Sequence, residues 1–180
     1  MFQVVYGGSA SGKSAYAESL VTDRAWEGAG QAPALIYIAT MYPFDEECRK
    51  RIQNHRAMRA EKQFETVECY TGLKQIEIPK QASVLLECMS NLAANERYGK
   101  EGAKARAVEE ILEGVRHLMK RAGHLVVVTN DVFCDGEEYD PDTMAYLREL
   151  GAINEAMGAW ADEVIEVVYG IPIVQKGAGR

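Results

Sequence analysis

The chain has 180 residues, 47% hydrophobic and 26% charged, and its 20 Lys and Arg against 27 Asp and Glu leave a net charge of −7. That length suits one domain over residues 1–180 with a substantial core, and the composition is that of a soluble globular protein with no apolar run long enough to span a bilayer. The acidic balance excludes a general attraction to nucleic acid, so any polyphosphate must be held by local cations and backbone.

The N-terminus enters a strand directly, with neither a basic segment nor a cleavage site, so no secretory signal is expected. Cys48, Cys69, Cys88 and Cys134 are widely separated and form no C-x-x-C pair. That argues against zinc and fits reduced thiols in a cytoplasm.

Phe2 to Tyr6 reads as the first strand, and Gly7-Gly8-Ser9-Ala10-Ser11-Gly12-Lys13-Ser14 follows it. This run fits G-x-x-x-x-G-K-[ST] in the context a phosphate-binding loop requires, between an apolar strand and a helix. The glycines allow backbone N–H groups to turn inward around phosphate oxygens, and the helix start adds the positive end of its dipole. Lys13 is placed for the β- and γ-phosphates and Ser14 for Mg²⁺. The helix runs over Ser14–Thr22, with Ala17, Leu20 and Val21 at helical spacing.

After a Gly/Ala/Pro-rich loop over 27–33, Ala34 to Ile38 reads as a buried strand ending at Ala39-Thr40. A helix spans Phe44 to about Ala60, with Asp45, Glu46 and Glu47 in its first turn. Arg51, His55 and Arg59 recur on it at i, i+4, i+8, with Arg56 close by, a face that attracts polyphosphate. A lone histidine on a charged helix is ordinarily just solvated, and the arginines have ordinary partners in Glu46, Glu47 and Glu61. Spacing alone leaves both readings open.

Phe64 to Cys69 alternates as a short strand. Ser83 to Leu86 is a continuous apolar run ending in Glu87-Cys88, the pattern of a central parallel strand. Glu87 is a candidate carboxylate on the Mg²⁺ side; the alternative is a capping or salt-bridged group. The polar stretch Asn91 to Gly102 reads as partly irregular, and a long helix from about Ala103 to Ala122 carries Val108, Ile111, Leu112, Val115, Leu118 and Met119 on one stripe. Leu125 to Thr129 is another buried strand, leading to Asn130-Asp131 and an acidic loop over 135–138. Pro141 opens a helix to about Ala161, Glu163 to Tyr169 is a strand, and Ile171 to Val174 closes a terminal hairpin. His117 and His124 stand alone and read as structural.

Alternating strands and helices imply an α/β fold, a mostly parallel sheet with helices on both faces and ligands at the carboxyl ends of the strands. Those ends are Gly7 to Ser14, Thr40 to Tyr42, Glu87 to Ser90 and Asn130 to Val132.

Together, Tyr6 to Ser14, Tyr37-Ile38-Ala39-Thr40, the Arg51-Ile52-x-x-His55-Arg56-x-x-Arg59 helix, Thr66-Val67-Glu68, Leu85-Leu86-Glu87-Cys88 and Val128-Thr129-Asn130 resemble the bifunctional adenosylcobinamide kinase/adenosylcobinamide-phosphate guanylyltransferase family of cobalamin biosynthesis. The resemblance covers most of the chain and implies a RecA-like P-loop NTPase fold. It also implies that His55 is the nucleophile that becomes guanylylated and that Lys13 serves catalysis. Gly7 to Ser14, Thr40, Met41, Tyr42, Arg56, Ala57, Met58, Arg59, Glu68 and Glu87 would bind nucleotide, with Ser14 and Glu87 on Mg²⁺. GTP and ATP would be the substrates, adenosylcobinamide and its phosphate the acceptors, and a homotrimer the assembly.

The chain departs from the family pattern in places. Ala60 and Phe64 stand where a proline and a tryptophan are expected, Asp131 to Gly136 replaces a glutamate and a glycine-containing loop, and Glu155 follows Asn154. These positions bear on the corrinoid and on the kinase half more than on the nucleotide. A diverged phosphotransferase or nucleotidyltransferase with another acceptor is the second reading. A non-catalytic nucleotide-binding module is the third, although retention of His55 and Glu87 speaks against it.

Overall fold

The computed structural model describes residues 1–27, 32–59, 62–132, 136–137 and 139–177, apart from the side chains of 24–27, 51, 54, 55, 58 and 59. Among these residues the strands are β1 (Phe2–Tyr6), β2 (Leu35–Ala39), β3 (Glu65–Glu68), β4 (Ser83–Glu87), β5 (His124–Val128), β6 (Glu163–Val168) and β7 (Ile171–Lys176). The helices are α1 (Lys13–Glu27), α2 (Glu46–Arg59), α3 (Met89–Tyr98), α4 (Ala107–Arg121) and α5 (Pro141–Trp160). All strands share one sheet in the order β3-β2-β4-β5-β1-β6-β7. Every neighbouring pair is parallel except β6 and β7, which form the expected terminal hairpin.

Strand alternation sorts the apolar residues onto two faces. Val4, Ile38, Val84, Leu86 and Val127 pack under α3, α4 and α5 with Leu92, Ile111, Val115, Leu118 and Ile153. On the other face, Val5, Tyr37, Leu85, Val126 and Val128 pack against Ala17 and Val21 of α1. Glu87 has the parity of Leu85, so it leaves the end of β4 on the α1 side. No described residue of α2 belongs to either core cluster.

The helix stops follow local chemistry. Asp45 precedes α2 and accepts from the Cys48 N–H at 2.7 Å, and that bond holds its carboxyl below the usual carboxylate range. Asp140 caps α5 by accepting from the N–H groups of Asp142 and Thr143 at 2.9 and 3.1 Å, with Pro141 at the first helical position.

In one place the structure is more regular than the sequence suggests: of Asn91 to Gly102, expected to be irregular in part, residues as far as Tyr98 belong to α3 and only 99–102 lie outside it. Its polar residues are tertiary anchors: Glu96 accepts from the Gly72 and Ala103 N–H groups at 2.6 and 2.8 Å, and Arg97 reaches Glu149 and Asp142 at 2.5 and 2.6 Å. His117 and His124 are structural as expected, lying 3.1 Å from the Ile76 carbonyl and 2.6 Å from Gln3 Oε1.

Leu118, on the α4 stripe, is fully buried. Leu118→Ala is expected to remove about 2–5 kcal/mol of stability, read as a lower denaturation midpoint, while activity per folded molecule is unchanged.

Candidate active site

The carboxyl ends of β1, β2, β4 and β5 surround one cleft of about 1300 Å³. The phosphate loop forms one wall through Ser9, Ala10, Lys13 and Ser14. Its turn is fixed by glycine where no other residue fits. Gly12 sits at φ +92° and a Cβ there would lie 3.1 Å from the Gly170 Cα, while a Cβ on Gly7 would come within 2.5 Å of the Val167 carbonyl. Lys13 is buried to 9% exposure and its ammonium donates to the Gly8 carbonyl at 3.0 Å, so the cation is already folded back over its own loop.

Glu87 stands opposite Ser14, although β5 lies between their strands. The Ser14 hydroxyl donates to Glu87 Oε1, and the Tyr37 hydroxyl donates to Oε2 at 2.9 Å. Tyr37 was not anticipated as a site residue. Its signal was parity alone: on β2 it pairs in register with Leu85, which puts its side chain on the face that Glu87 also uses.

Thr40 is wholly buried. Its hydroxyl donates to the Cys88 carbonyl and accepts the Cys88 N–H, both at 2.8 Å, and its carbonyl accepts from Asn95 Nδ2 at 2.8 Å. It therefore ties β2 to β4 and α3 and positions the acidic end of β4. Met41 lines the cleft, whereas Tyr42 is 45% exposed and packs its ring against Phe44 and Tyr70 at 4.6 and 4.9 Å between centroids.

Helix α2 forms the far wall through Glu47, Arg49, Ile52, Gln53 and Arg56. Arg56 pairs with Glu68 at 2.6 Å, an acid on β3 not among those considered from sequence, of which Glu61 lies outside the described residues. Tyr70 donates to the other oxygen of Glu68 at 2.9 Å; burial and that bond push its phenol up to about 12. Arg56, Glu68 and Tyr70 thus form one connected polar group across the cleft from Lys13. Ala57 is exposed on the same helix. His55 is the residue before Arg56 on α2; its side chain, like those of Arg51, Met58 and Arg59, lies outside the described residues.

The remaining wall belongs to β5, α3 and α5. Asn130 donates to the Ser90 hydroxyl at 2.6 Å, Tyr146 donates to the Ser90 carbonyl at 3.1 Å, and Asp131, whose N–H donates to the Gly7 carbonyl at 3.1 Å, faces the cleft beside them. Ser90, Asn130 and Asp131 lie at the strand ends where ligands are expected to gather, whereas Tyr146 was not anticipated, because nothing in the local spacing of α5 shows that it reaches the end of β4.

The donor set at Ser14 and Glu87 is made only of oxygen, which suits a hard cation that takes its remaining ligands from phosphates and water. Among the described residues no group of three or more His, Cys, Asp or Glu could hold a metal without such help.

Comparison with known proteins supplies the family. A model described as cobinamide kinase / cobinamide phosphate guanyltransferase matches residues 3–174. The bifunctional adenosylcobalamin biosynthesis protein CobU of Salmonella typhimurium is 31% identical, with 98% of this chain and 100% of the relative covered. The protein of the same name from Escherichia coli is 30% identical at the same coverage, and the bifunctional adenosylcobalamin biosynthesis protein CobP of Pseudomonas aeruginosa is 25% identical over 98% of each chain. In fold, the chain is similar to a KaiC-like protein, PH0186, from Pyrococcus horikoshii. Their TM-score is 0.50 at 14% identity, with 92% of this chain and 69% of that one covered. The likeness agrees with a RecA-like P-loop architecture. With a phosphate loop, a β4 carboxylate and a basic helix around one cleft, and a family match across nearly its whole length, the chain belongs to the cobinamide kinase / cobinamide phosphate guanyltransferase family.

Proposed function

We propose that this one cleft carries out both reactions of the family in turn: phosphorylation of adenosylcobinamide by a nucleoside triphosphate, then transfer of GMP from GTP to the phosphate so formed. The observation that carries the reading is convergence, since Lys13 of the phosphate loop and Arg49 and Arg56 of α2 line the same cavity. A polyphosphate there is held from both ends.

In the kinase step the aminopropanol hydroxyl attacks the γ-phosphorus, a new O–P bond forms, and the bond to the bridging β–γ oxygen breaks. Lys13 and the loop N–H groups hold the phosphate charge. In the transfer step a ring nitrogen of His55 attacks the α-phosphorus of GTP, and pyrophosphate leaves while held by the same loop. The acceptor phosphate then attacks that phosphorus, the P–N bond breaks, and the imidazole is regenerated. Arg56 neutralises charge on the transferring group.

Ser14 and Glu87 would hold Mg²⁺, which supplies charge neutralisation on the bridging phosphates when bound. Glu87→Gln keeps the Tyr37 contact possible but removes the formal charge. It is expected to raise the Mg²⁺ concentration needed for half-maximal activity about tenfold or more in both steps, measured by titrating the metal at saturating nucleotide.

The assembly we propose is a cytoplasmic homotrimer that does not bind nucleic acid. The apolar, exposed Ile171, Ile173 and Val174 on the edge strand β7 support subunit contact; a net charge of −7 supports the absence of nucleic acid. Among the described residues no helix is long and apolar enough to cross a membrane.

The test uses two labels. With Mg²⁺ and GTP labelled at the α-phosphate, the protein should acquire an acid-labile label, and with γ-labelled nucleotide and cobinamide the label should pass to the corrinoid. A protein that does neither would leave only a nucleotide-binding module. Transfer to a different acceptor alone would establish the diverged reading.

A further inference from the structure

Tyr169 and Gly170 form the two-residue turn between β6 and β7, where Val168 pairs with Ile171. Their φ angles are +50° and +79°. These values define a type I′ turn, whose first position favours Asn, Asp or Gly. A tyrosine there is held in the left-handed region that bulky side chains avoid. It is also 94% exposed, so neither turn propensity nor packing within the chain accounts for it.

The turn abuts the phosphate loop. Gly170 N–H donates to the Ser11 carbonyl at 2.7 Å, and a Cβ at Gly12 would lie only 3.1 Å from the Gly170 Cα. An exposed aromatic residue therefore flanks the loop on its β6 side.

Strand order gives the flank a meaning. On one side of β1 lie β5 and β4, with Asp131, Glu87 and the open cleft; on the other lie β6 and this turn. A kinase must direct the γ-phosphate into the cleft, where an acceptor has room. With its terminal phosphates pointing that way, the nucleoside trails off the loop on the opposite side, toward the turn. Guanylyl transfer makes the reverse demand, because the α-phosphorus must face α2 while pyrophosphate stays in the loop, and the base then lies across the cleft. One anion cradle is thus used in two directions and needs two base subsites.

We propose that Tyr169 is the stacking platform for the base of the kinase-step nucleotide, and that the guanylyl-transfer step does not use it. The proposal rests on the bifunctional reading above. Stacking on an aromatic face tolerates any base, so the subsite would accept ATP or GTP.

Tyr169→Asn removes the ring while supplying a residue that the turn prefers, so the hairpin is preserved. The KM for nucleotide in the kinase assay should rise about tenfold, the size of one base–aromatic stack. Tyr169→Phe should stay near wild type, and the GTP concentration giving half-maximal guanylylation of the protein should be unchanged in both variants. A second arm needs no catalysis: in Tyr169→Trp, ATP but not inorganic tripolyphosphate should quench the added indole emission, relative to wild type. If the kinase reading fails but this quench appears, the subsite stands without its reaction. No quench, an unchanged kinase KM, equal changes in both steps, or a variant whose only defect is a smaller assembly by size-exclusion chromatography would overturn it.

Discussion

His55→Ala is expected to abolish guanylyl-enzyme formation, by about a thousandfold or more, while leaving phosphorylation of cobinamide in place. The magnitude follows from how poorly the thiol and two of the phenols that line the described wall of the cleft would substitute for an imidazole. Cys88 lines the cleft, but burial pushes its thiol up and keeps it protonated. The Tyr70 and Tyr146 phenols are each pushed up to about 12, chiefly by burial. Near neutral pH none of the three supplies an anion, whereas a free imidazole with a pKa of about 6.5 is largely neutral and able to attack. The check is labelling with α-labelled GTP beside γ-label transfer to cobinamide on the same preparation. An acid-labile label persisting in the variant would move the nucleophile elsewhere; loss of both activities would make α2 a structural part of the kinase site as well.

The phosphate loop and the strands were legible because their signals are local. Glycines, a lysine and a hydroxyl at fixed spacing must follow a strand to work at all, and the run Val84-Leu85-Leu86 is apolar on both faces because it lies in mid-sheet. Helix α3 was not legible for the opposite reason. Asn95, Glu96 and Arg97 look like loop residues in sequence, but each reaches a partner brought by another segment: the Thr40 carbonyl, the Gly72 and Ala103 N–H groups, Asp142 and Glu149. Tertiary hydrogen bonds outweigh the weak preference of such residues for irregular backbone. The same limit applies within the cleft. Spacing on α2 showed that Arg56 belongs to a basic helix, yet its ion pair with Glu68 depends on β3 lying beside β2, which no periodicity within α2 encodes.

Lys13→Met separates a shared cradle from two independent sites, and both activities are expected to fall about 10²–10³-fold, the cost of removing one preorganised charge-stabilising donor. Methionine retains an apolar stem in a position that is 9% exposed, so the thermal midpoint should stay near wild type and the loss can be read as chemistry. The ammonium now rests on the Gly8 carbonyl at 3.0 Å, a contact it can exchange for phosphate oxygens without leaving the loop. In the kinase step those oxygens belong to the transferring end of the nucleotide, and in the transfer step to departing pyrophosphate, so one cation serves opposite ends of two reactions. His55→Ala should silence one activity and Lys13→Met both. Guanylylation surviving in Lys13→Met at near wild-type rate would mean that pyrophosphate leaves from somewhere other than the loop, and the two-direction use of a single cradle would fall with it.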